Sequence, residues 1–306
     1  MTLQQMKYAL VIADSGSMNE AAKRLYISQP SLSGAVKELE GELNFSIFLR
    51  SNRGIVITPE GEEFLTYARQ VVEQYELLNA KFIEKSTKKK FSVSMQHYSF
   101  AVSAFIEVVR QFGMDAFEFA VHETRTSEVI ENVKNFKSEI GVLYVNDFNE
   151  KVLRKLIHEN SLDFHQLFTC DTFVYISDKH PLAERKEISI EELEEYPCLA
   201  FDQGKDSSFY LAEEQLSTYD YKQIIKANDR ATMLNLMVDL NAFTLCSGII
   251  SEDLNGVGYR AVPLKESQKM RIGYINRRGA KLSSIAQQYI EELAKYESYA
   301  YNKDQK

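Results

Sequence analysis

The 306-residue sequence has few cysteines, no excess of positive charge and no long apolar run. Its three cysteines, Cys170, Cys198 and Cys246, are too few and too widely spaced for a disulfide framework or a zinc site. No stretch approaches the roughly 18 apolar residues of a membrane-spanning helix. The first residues lack the basic segment and apolar core of a signal peptide. These absences predict a cytoplasmic protein that binds neither a metal nor a membrane.

Charge is distributed unevenly along the chain. Residues 1–90 contain 12 Lys and Arg against 11 Asp and Glu, whereas residues 91–306 contain 24 against 33. With a formal net charge of −8, the whole chain is not a general binder of polyanions. A contact with nucleic acid must therefore come from a local patch, and the charge balance favours the front part.

Three short helices are predicted within residues 3–43. The first has a helical apolar period over residues 3–13 and ends at Gly16. Ser17 and Glu20 have the spacing of a capping box, in which each side chain satisfies a free backbone amide, at the start of the second. The second and third helices are joined by a turn of about four residues, which is the pattern of a helix-turn-helix.

The third helix is capped by Ser28, continues to about Leu43 and has two unlike faces. Its large apolar residues recur at helical spacing and form one buried face. The opposite face is small and polar, as the reading of bases in a major groove requires. That face carries Ser31, Ser33, Gly34 and Lys37. An ordinary solvated helix surface is the alternative for each of these side chains.

Two short apolar strands follow, around a turn in which Gly54 can take a positive φ angle. This hairpin is the predicted wing, with Arg53 at its tip and Arg50 at its base. An arginine at the tip can enter a narrow minor groove, where the potential is most negative. For Arg50 the alternative is a structural ion pair with Glu40 or Glu62.

A long helix is predicted from about Pro59 to Lys85, with proline at its first position. Two adjoining apolar seams run along it and form a stripe wider than one neighbour covers. One side can pack on the helix-turn-helix and the other on a partner chain, with Asn79 fixing the register. The residues assigned to dimerisation are Leu65, Ala68, Val72, Tyr75, Asn79 and Phe82. Residues 86–90 form a polar, basic linker.

Several short motifs occur in this stretch in a fixed order. They are Ser17-Met18-Asn19-Glu20-Ala21-Ala22-Lys23-Arg24-Leu25, Ser28-Gln29-Pro30-Ser31-Leu32-Ser33, Leu39-Glu40, Phe48-Leu49-Arg50, Arg53 and Thr58-Pro59-Glu60-Gly61. On these residues, Met1 to about Phe82 resembles the DNA-binding domain and linker helix of LysR-type transcriptional regulators. The resemblance implies a winged helix-turn-helix and a homodimer joined through the linker helices, often paired into a homotetramer.

The resemblance also implies which side chains face DNA. The DNA-binding residues it assigns are Gln29, Pro30, Ser31, Ser33 and Lys37 in the groove and Arg53 in the wing. Arg50, at the base of the wing, is a further DNA-binding candidate. One departure from the family pattern is Gly34-Ala35, which replaces the larger polar pair that many relatives carry. This departure predicts weaker base reading at that place or a different operator.

From residue 91 onward, strand and helix patterns alternate, which predicts an α/β sheet covered by helices. Residues 140–145 form a continuous apolar run, typical of a buried parallel strand. The resemblance implies a periplasmic-binding-protein-like effector domain of two subdomains. Subdomain I comprises residues 91–163 and 270–300, subdomain II comprises residues 164–269, and the effector binds between them.

Ligands of α/β sheets bind beyond the carboxyl ends of the strands, so the loops there carry the candidate effector residues. They are Gln96, Ser99, Thr126, Asp202, Gln203, Arg230 and Thr232. At a helix start, Gln96 and Ser99 can bind a carboxylate or simply cap the helix. Arg230 can bind an anion or pair with an acid, and His97 fits a satisfied or solvated side chain better than a ligand contact. The set suits a small polar or anionic metabolite.

The predicted function is a sequence-specific transcriptional regulator controlled by a small-molecule effector. Its predicted partners are double-stranded operator DNA, the effector, further copies of the chain and RNA polymerase, with no cofactor. A stand-alone solute-binding protein is one alternative, but it would need export and leaves the winged helix unexplained. An enzyme is another, but the sequence has no G-x-S-x-G, H-E-x-x-H or Walker loop. Gly256–Ala261 matches a dinucleotide fingerprint, yet Val262-Pro263 follows it instead of a helix.

Overall fold

The computed structural model of the chain describes residues 1–51, 54–79, 88–112, 116–204, 208–250 and 255–298. The chain divides into two compact units, Met1–Thr87 and Lys88–Lys306. Within the described ranges, no helix combines the length and the apolar character needed to span a bilayer.

The front unit is a three-helix cluster with a hairpin and a long helix. Its elements are α1 (Leu3–Ser15), α2 (Met18–Arg24), α3 (Gln29–Leu43), β1 (Phe48–Ser51), β2 (Gly54–Ile57) and α4 (Pro59–Leu78). Strands β1 and β2 pair antiparallel, as predicted for the wing. Gly16 ends α1 in the left-handed conformation, and Ser28 caps α3 by accepting a hydrogen bond from the amide of Ser31 at 3.2 Å.

The predicted capping box at Ser17 is wrong. The Ser17 backbone has the extended cap geometry, but its hydroxyl makes no capping bond. Glu20 lies instead within ion-pair distance of Lys23 and Arg24, at 3.9 and 4.0 Å. A capping box is present at the start of α1, where Thr2 and Gln5 satisfy each other's backbone amides.

Helix α4 packs one side of its apolar stripe into the front unit's own core. Leu65, Ala68 and Val72 are 7%, 2% and 8% exposed and share a cluster with the leucines of α3. Because these three side chains are already covered within the protomer, their assignment as partner contacts is corrected.

The rear unit alternates strands and helices. In chain order it contains β3 (Lys89–Met95), α5 (Ser99–Phe112), β4 (Phe117–Glu123), α6 (Thr126–Lys134), β5 (Ile140–Val145), α7 (Glu150–Glu159), β6 (Leu162–Cys170), β7 (Phe173–Ser177), β8 (Cys198–Phe201), β9 (Ile224–Ala227), α8 (Arg230–Asp239), β10 (Thr244–Cys246), β11 (Tyr259–Pro263), β12 (Met270–Arg277) and α9 (Ser284–Ala294). One-turn 3₁₀ helices lie at Glu191–Leu193 and Phe209–Leu211.

A five-stranded sheet with the order β4-β3-β5-β12-β6 forms the larger part of this unit. Strand β3 is parallel to β4 and β5, and β12 is antiparallel to β5 and β6. Every residue of β5 is buried, as its apolar run predicts. Strand β6 pairs with β12 from Leu162 to Cys170, so the predicted boundary between residues 163 and 164 cuts through this strand and moves to its end.

The smaller part lies between β6 and β12 in the sequence. It has a three-stranded sheet with the order β10-β7-β11 and a parallel pair of β8 and β9, with α8 beside them. Most of its buried side chains form two clusters of their own, whereas Leu211 and Ile249 belong to clusters of the five-stranded sheet. Two cores with a seam between them are the arrangement in which a ligand cleft is expected.

Candidate operator interface and effector cleft

Helix α3 presents the predicted DNA face at its exposed side. Pro30, Ser31, Gly34 and Lys37 are exposed, and Gln29 and Ser33 are half-buried. The Gln29 side-chain amide donates a hydrogen bond to the Ser33 hydroxyl at 2.7 Å. The large apolar residues of the helix point inward, so this side offers short polar groups with little bulk around them.

The wing is described only in part. Arg50 lies in β1 opposite Ile55, while its side chain and the whole of Arg53 lie outside the described residues. The Glu40 carboxylate, offered above as a partner for Arg50, accepts hydrogen bonds from the amides of Ile47 and Phe48 at 2.7 and 3.0 Å. Glu40 therefore fixes the entry of the first wing strand against α3.

An apolar stripe remains exposed along α4. Tyr67, Val71, Tyr75 and Leu78 are 60%, 47%, 40% and 56% exposed and recur at steps of four, four and three residues. Of the residues assigned to dimerisation, Tyr75 belongs to this stripe and Asn79 is the helix C-cap. Phe82 lies outside the described residues. Val71, Tyr75 and Leu78 belong to the second of the two predicted seams, whereas Tyr67 lies in neither.

A segment of the smaller part crosses onto the five-stranded part. Residues 208–217, here named the strap, place Leu211 among the buried side chains of the larger part, in the cluster that includes Val129 and Leu143. The Thr126 hydroxyl donates a hydrogen bond to the Leu211 carbonyl at 2.7 Å, and the Tyr144 hydroxyl donates to the Ala212 carbonyl at 3.1 Å. The strap thus joins the two parts through apolar and hydrogen-bonded contacts.

Gln96 is fully buried, and its side chain is satisfied inside the protein. Its amide nitrogen donates to the Thr126 hydroxyl at 2.6 Å, and its oxygen accepts from the Tyr98 hydroxyl and the Tyr144 amide at 2.9 and 3.1 Å. The Thr126 amide in turn donates to the Gln203 side-chain oxygen at 3.1 Å. Three predicted effector residues, Gln96, Thr126 and Gln203, are therefore brought together, but they form hydrogen bonds within the protein.

Glu213 of the strap accepts the remaining donors of this network. Its carboxylate accepts from the His97 amide at 2.8 Å and the Gln203 side chain at 2.8 Å, and it lies 2.9 Å from His97 Nδ1. The His97 ring stacks on Phe201 with centroids 3.7 Å apart. His97 is therefore a satisfied histidine. The Glu213 carboxylate accepts from hydrogen-bond donors that a bound anion would otherwise use.

The other predicted effector residues have partners as well. Asp202 pairs with Arg125 at 3.0 Å, and Thr232 bonds to the helix-capping Asp229. Arg230 pairs with the carboxylate of Glu123, so in this structure it is paired with an acid. The sequence interpretation missed Arg125, Tyr144 and Glu213. Arg125 lies in a predicted strand-end loop, whereas nothing local marks Tyr144 or Glu213.

The space left between the two parts is a cavity of about 80 Å³. Among its lining residues are Ser99, Glu214, Arg230 and Cys246. Burial raises the pKa of the Cys246 thiol to about 12, so it stays protonated at neutral pH and is a poor nucleophile. This volume is well below the ~300 Å³ at which small-molecule sites begin. In this structure, the predicted cleft is filled by the chain itself.

The sequence matches two family descriptions over most of its length. Residues 3–62 match the bacterial regulatory helix-turn-helix protein of the lysR family, and residues 97–297 match the LysR substrate binding domain. The chain belongs to the LysR family of transcriptional regulators. It is therefore a helix-turn-helix regulator with an effector-binding domain, and the fold predicted from the sequence is confirmed.

Relatives of this LysR-family chain are named as transcriptional regulators and not as enzymes. An uncharacterized regulator of Escherichia coli, YbhD, is 24% identical over 95% of this chain and 90% of its own. The malolactic fermentation system transcriptional activator of Lactococcus lactis is also 24% identical, over 96% and 98%.

Solved structures with the same fold cover nearly the whole chain. A full-length OxyR variant of Pseudomonas aeruginosa has a TM-score of 0.63 at 18% identity and covers 100% of this chain and 99% of its own. CbnR, a LysR-family regulator solved together with its target DNA, has a TM-score of 0.59 at 18% identity and covers 96% and 99%.

Proposed function

We propose that α3 of this LysR-family regulator reads operator DNA in the major groove. The residues proposed to contact it are Gln29, Pro30, Ser31, Ser33 and Lys37, with Arg50 at the base of the wing and Arg53 at its tip, which enters the adjacent minor groove. The observation that carries this proposal is the exposed, small and polar side of a helix whose leucines are buried. The complex of CbnR with its target DNA supports it, since that protein shares the fold.

Replacing Lys37 with alanine should weaken operator binding and reduce its salt dependence. Lys37 is exposed on the proposed DNA face, and each lost phosphate contact lowers the slope of log affinity against log salt by about 1. Binding is measured by fluorescence anisotropy over a salt series, with an operator selected from random-sequence DNA. Lys155→Ala, an exposed lysine of α7, is the control. An unchanged slope in Lys37→Ala would remove this residue from the interface.

We further propose that two chains pair through the exposed stripe of α4, so that the working unit is at least a homodimer. Tyr67, Val71, Tyr75 and Leu78 form a continuous apolar surface on a helix whose other side is already packed. An apolar surface of this kind is expected to be covered by a partner. Because the same surface is present on each copy, a two-fold pairing covers both at once.

The double substitution Val71→Glu and Tyr75→Glu should halve the particle mass measured by light scattering. Both side chains are exposed within the protomer, so the charges act on the pairing and not on the core. Val257→Glu, at a position 88% exposed in the rear unit, is the matched control and should leave the mass unchanged. A double variant that keeps the wild-type mass would show that α4 does not form the dimer interface.

The rear unit is proposed to bind a small-molecule effector and to bias the regulator between two states. A ligand can shift such an equilibrium only by the difference in its affinity for the two states. We propose the strap as the element whose docking differs between such states, because it carries Leu211 and Glu213 from one part into the other. The shift between the two states then changes the complex with operator DNA that RNA polymerase contacts.

A further inference from the structure

The strap carries a carboxylate into the cleft between the two parts of the rear unit. One oxygen of the buried Glu213 side chain accepts from the His97 amide at 2.8 Å and lies 2.9 Å from His97 Nδ1. The other oxygen accepts from the Gln203 side chain at 2.8 Å. His97 belongs to the larger part and Gln203 to the smaller part, so the donors come from both walls of the cleft. Together they form a site for the two oxygens of one carboxylate.

The cavity of about 80 Å³ that remains in the cleft borders this carboxylate site, because Glu213 is one of its lining residues. Much of the remaining lining is apolar and includes Met233, Met237, Leu245 and Ile249. A molecule whose carboxylate replaced that of Glu213 would therefore place its other atoms against an apolar wall. The cavity is smaller than the ~300 Å³ of small-molecule sites, so such a molecule fits only when Glu213 leaves.

Two arginines at the cleft are already paired with acids. Arg230 pairs with Glu123, and Arg125 pairs with Asp202 at 3.0 Å. Exchanging the Glu213 carboxylate for another carboxylate keeps the buried charge unchanged, whereas a dianion would add a buried charge without a partner. A neutral ligand would bond more weakly to the same donors, since hydrogen bonds to a charged acceptor are roughly twice as strong. The site therefore selects a single carboxylate.

The strap is able to leave the cleft without disrupting a sheet. Residues 208–217 contain one turn of 3₁₀ helix and no strand. Besides Glu213 and the hydrogen bonds given above, the buried Leu211 side chain holds the strap on the larger part. Tyr210 also stacks on Phe148 of the larger part, with ring centroids 4.7 Å apart. All of these contacts lie within one short segment, so they are lost together when it moves.

We propose that the strap is a built-in competitor of the effector: Glu213 occupies the carboxylate site of the cleft, and the effector is a small carboxylate with an apolar body that displaces it. Displacement of Glu213 releases the strap, with Leu211, from the larger part. The inference rests on the proposed effector control and adds the class of ligand and the group that the ligand displaces. While Glu213 is docked the site is closed, so the apparent affinity is reduced to the fraction of chains in which it is free.

The test uses pentanoate as the probe and pentanamide as its neutral counterpart, on the full-length chain at constant ionic strength. The sequence contains no tryptophan, so Tyr210→Trp places a single fluorescent reporter in the strap, against Phe148. Release of the strap exposes the indole to water and should shift its emission to longer wavelength. Pentanoate should produce this shift saturably, with a dissociation constant of about 1–50 mM for so small a ligand. Pentanamide should not produce it.

In the same reporter background, Glu213→Gln should lower the apparent dissociation constant of pentanoate by about tenfold, because an amide competes for the donors less well than a carboxylate does. Leu211→Ala weakens strap docking but keeps the carboxylate, so it should lower this constant as well. Gln203→Met removes a donor and should weaken pentanoate binding in the Glu213→Gln background. Glu195→Gln, at an exposed position, is the charge-matched control and should keep the wild-type value.

The proposal is overturned if pentanoate gives no saturable shift in the Glu213→Gln reporter, or if pentanamide gives the larger shift. It is also overturned if neither Glu213→Gln nor Leu211→Ala binds pentanoate more tightly than Glu195→Gln does. The titration contains no DNA, so it decides the competition whether or not the chain selects an operator. Operator binding by the same preparations tests the proposed function separately. If Glu213→Gln changes operator affinity while pentanoate does nothing, the control by two states stands and the carboxylate ligand is withdrawn.

Discussion

Replacing Gly34 with glutamate should lower operator affinity by about 100-fold or more while leaving the fold intact. Gly34 is exposed on the DNA side of α3, and a Cβ placed there meets nothing within 4 Å. A glutamate would bring negative charge and bulk to a surface proposed to lie against base edges and phosphates. Within a helix the same change raises stability by up to about 1 kcal/mol, since glycine is a poor helix former.

The matched control lies on the same helix. Gly41 is also exposed, and a Cβ there also meets nothing within 4 Å. It lies two turns further toward the C-terminus of α3, whereas recognition helices contact bases with their N-terminal residues. Gly41→Glu should therefore change operator affinity far less at matched salt. If the two variants bind equally well, the DNA face assigned to α3 is in the wrong place.

The front unit could be predicted closely because its signals are local. The Ser28 cap, the proline at the start of α4 and the apolar period of α3 each act within a few residues. Ser17 shows where a local signal is not sufficient. Residues at the spacing of a capping box need not form one. Glu20 lies instead beside Lys23 and Arg24.

The apolar stripe of α4 was predicted, but its division between core and surface was not. Both seams have heptad-like spacing, so periodicity alone cannot say which faces the protomer. The packing against α1 decides it by burying Ala68 and Val72 and leaving Val71 exposed. Tertiary contacts of this kind are absent from the sequence pattern.

In the rear unit, the strands with strong apolar runs were predicted and β6 was not. Its sequence, Leu162–Cys170, mixes exposed and buried positions without a clean alternation. The strap was missed for a related reason. Its contacts join residues such as Thr126 and Leu211, which are far apart in sequence, and it contains only one turn of 3₁₀ helix. The candidate effector residues Gln96, Thr126 and Gln203 lie in the predicted loops, but their contacts with one another were not predicted.

Replacing Glu214 with glutamine should make the protein more stable at alkaline pH, by an amount that grows between about pH 4.5 and pH 8. The pKa of this carboxyl is raised from 4.5 to about 8 in the fold, first by burial and then by Glu213. Between these values, the folded chain holds a proton that the unfolded chain releases. Stability from this group is therefore complete below pH 4.5 and is lost as pH rises through 8.

Other groups near Glu214 affect the pH range over which it titrates. Glu213 adds negative charge, Lys226 opposes it, and burial raises the pKa of Cys198, Tyr98 and Tyr144 as well, so these three stay neutral across the window. The Phe201 amide donates to the Glu214 carboxyl at 2.9 Å, a bond that a glutamine oxygen can also accept. The substitution thus removes the titration without removing the acceptor.

The expected difference in unfolding free energy between Glu214→Gln and the wild type is close to zero at pH 4.5 and about 2–5 kcal/mol at pH 9, because each tenfold change in proton affinity corresponds to 1.36 kcal/mol. Denaturant unfolding at a series of pH values measures it. Glu195→Gln, at an exposed position, controls for the loss of one charge and should track the wild type. A difference that stays constant with pH would mean that Glu214 is ionised in the fold.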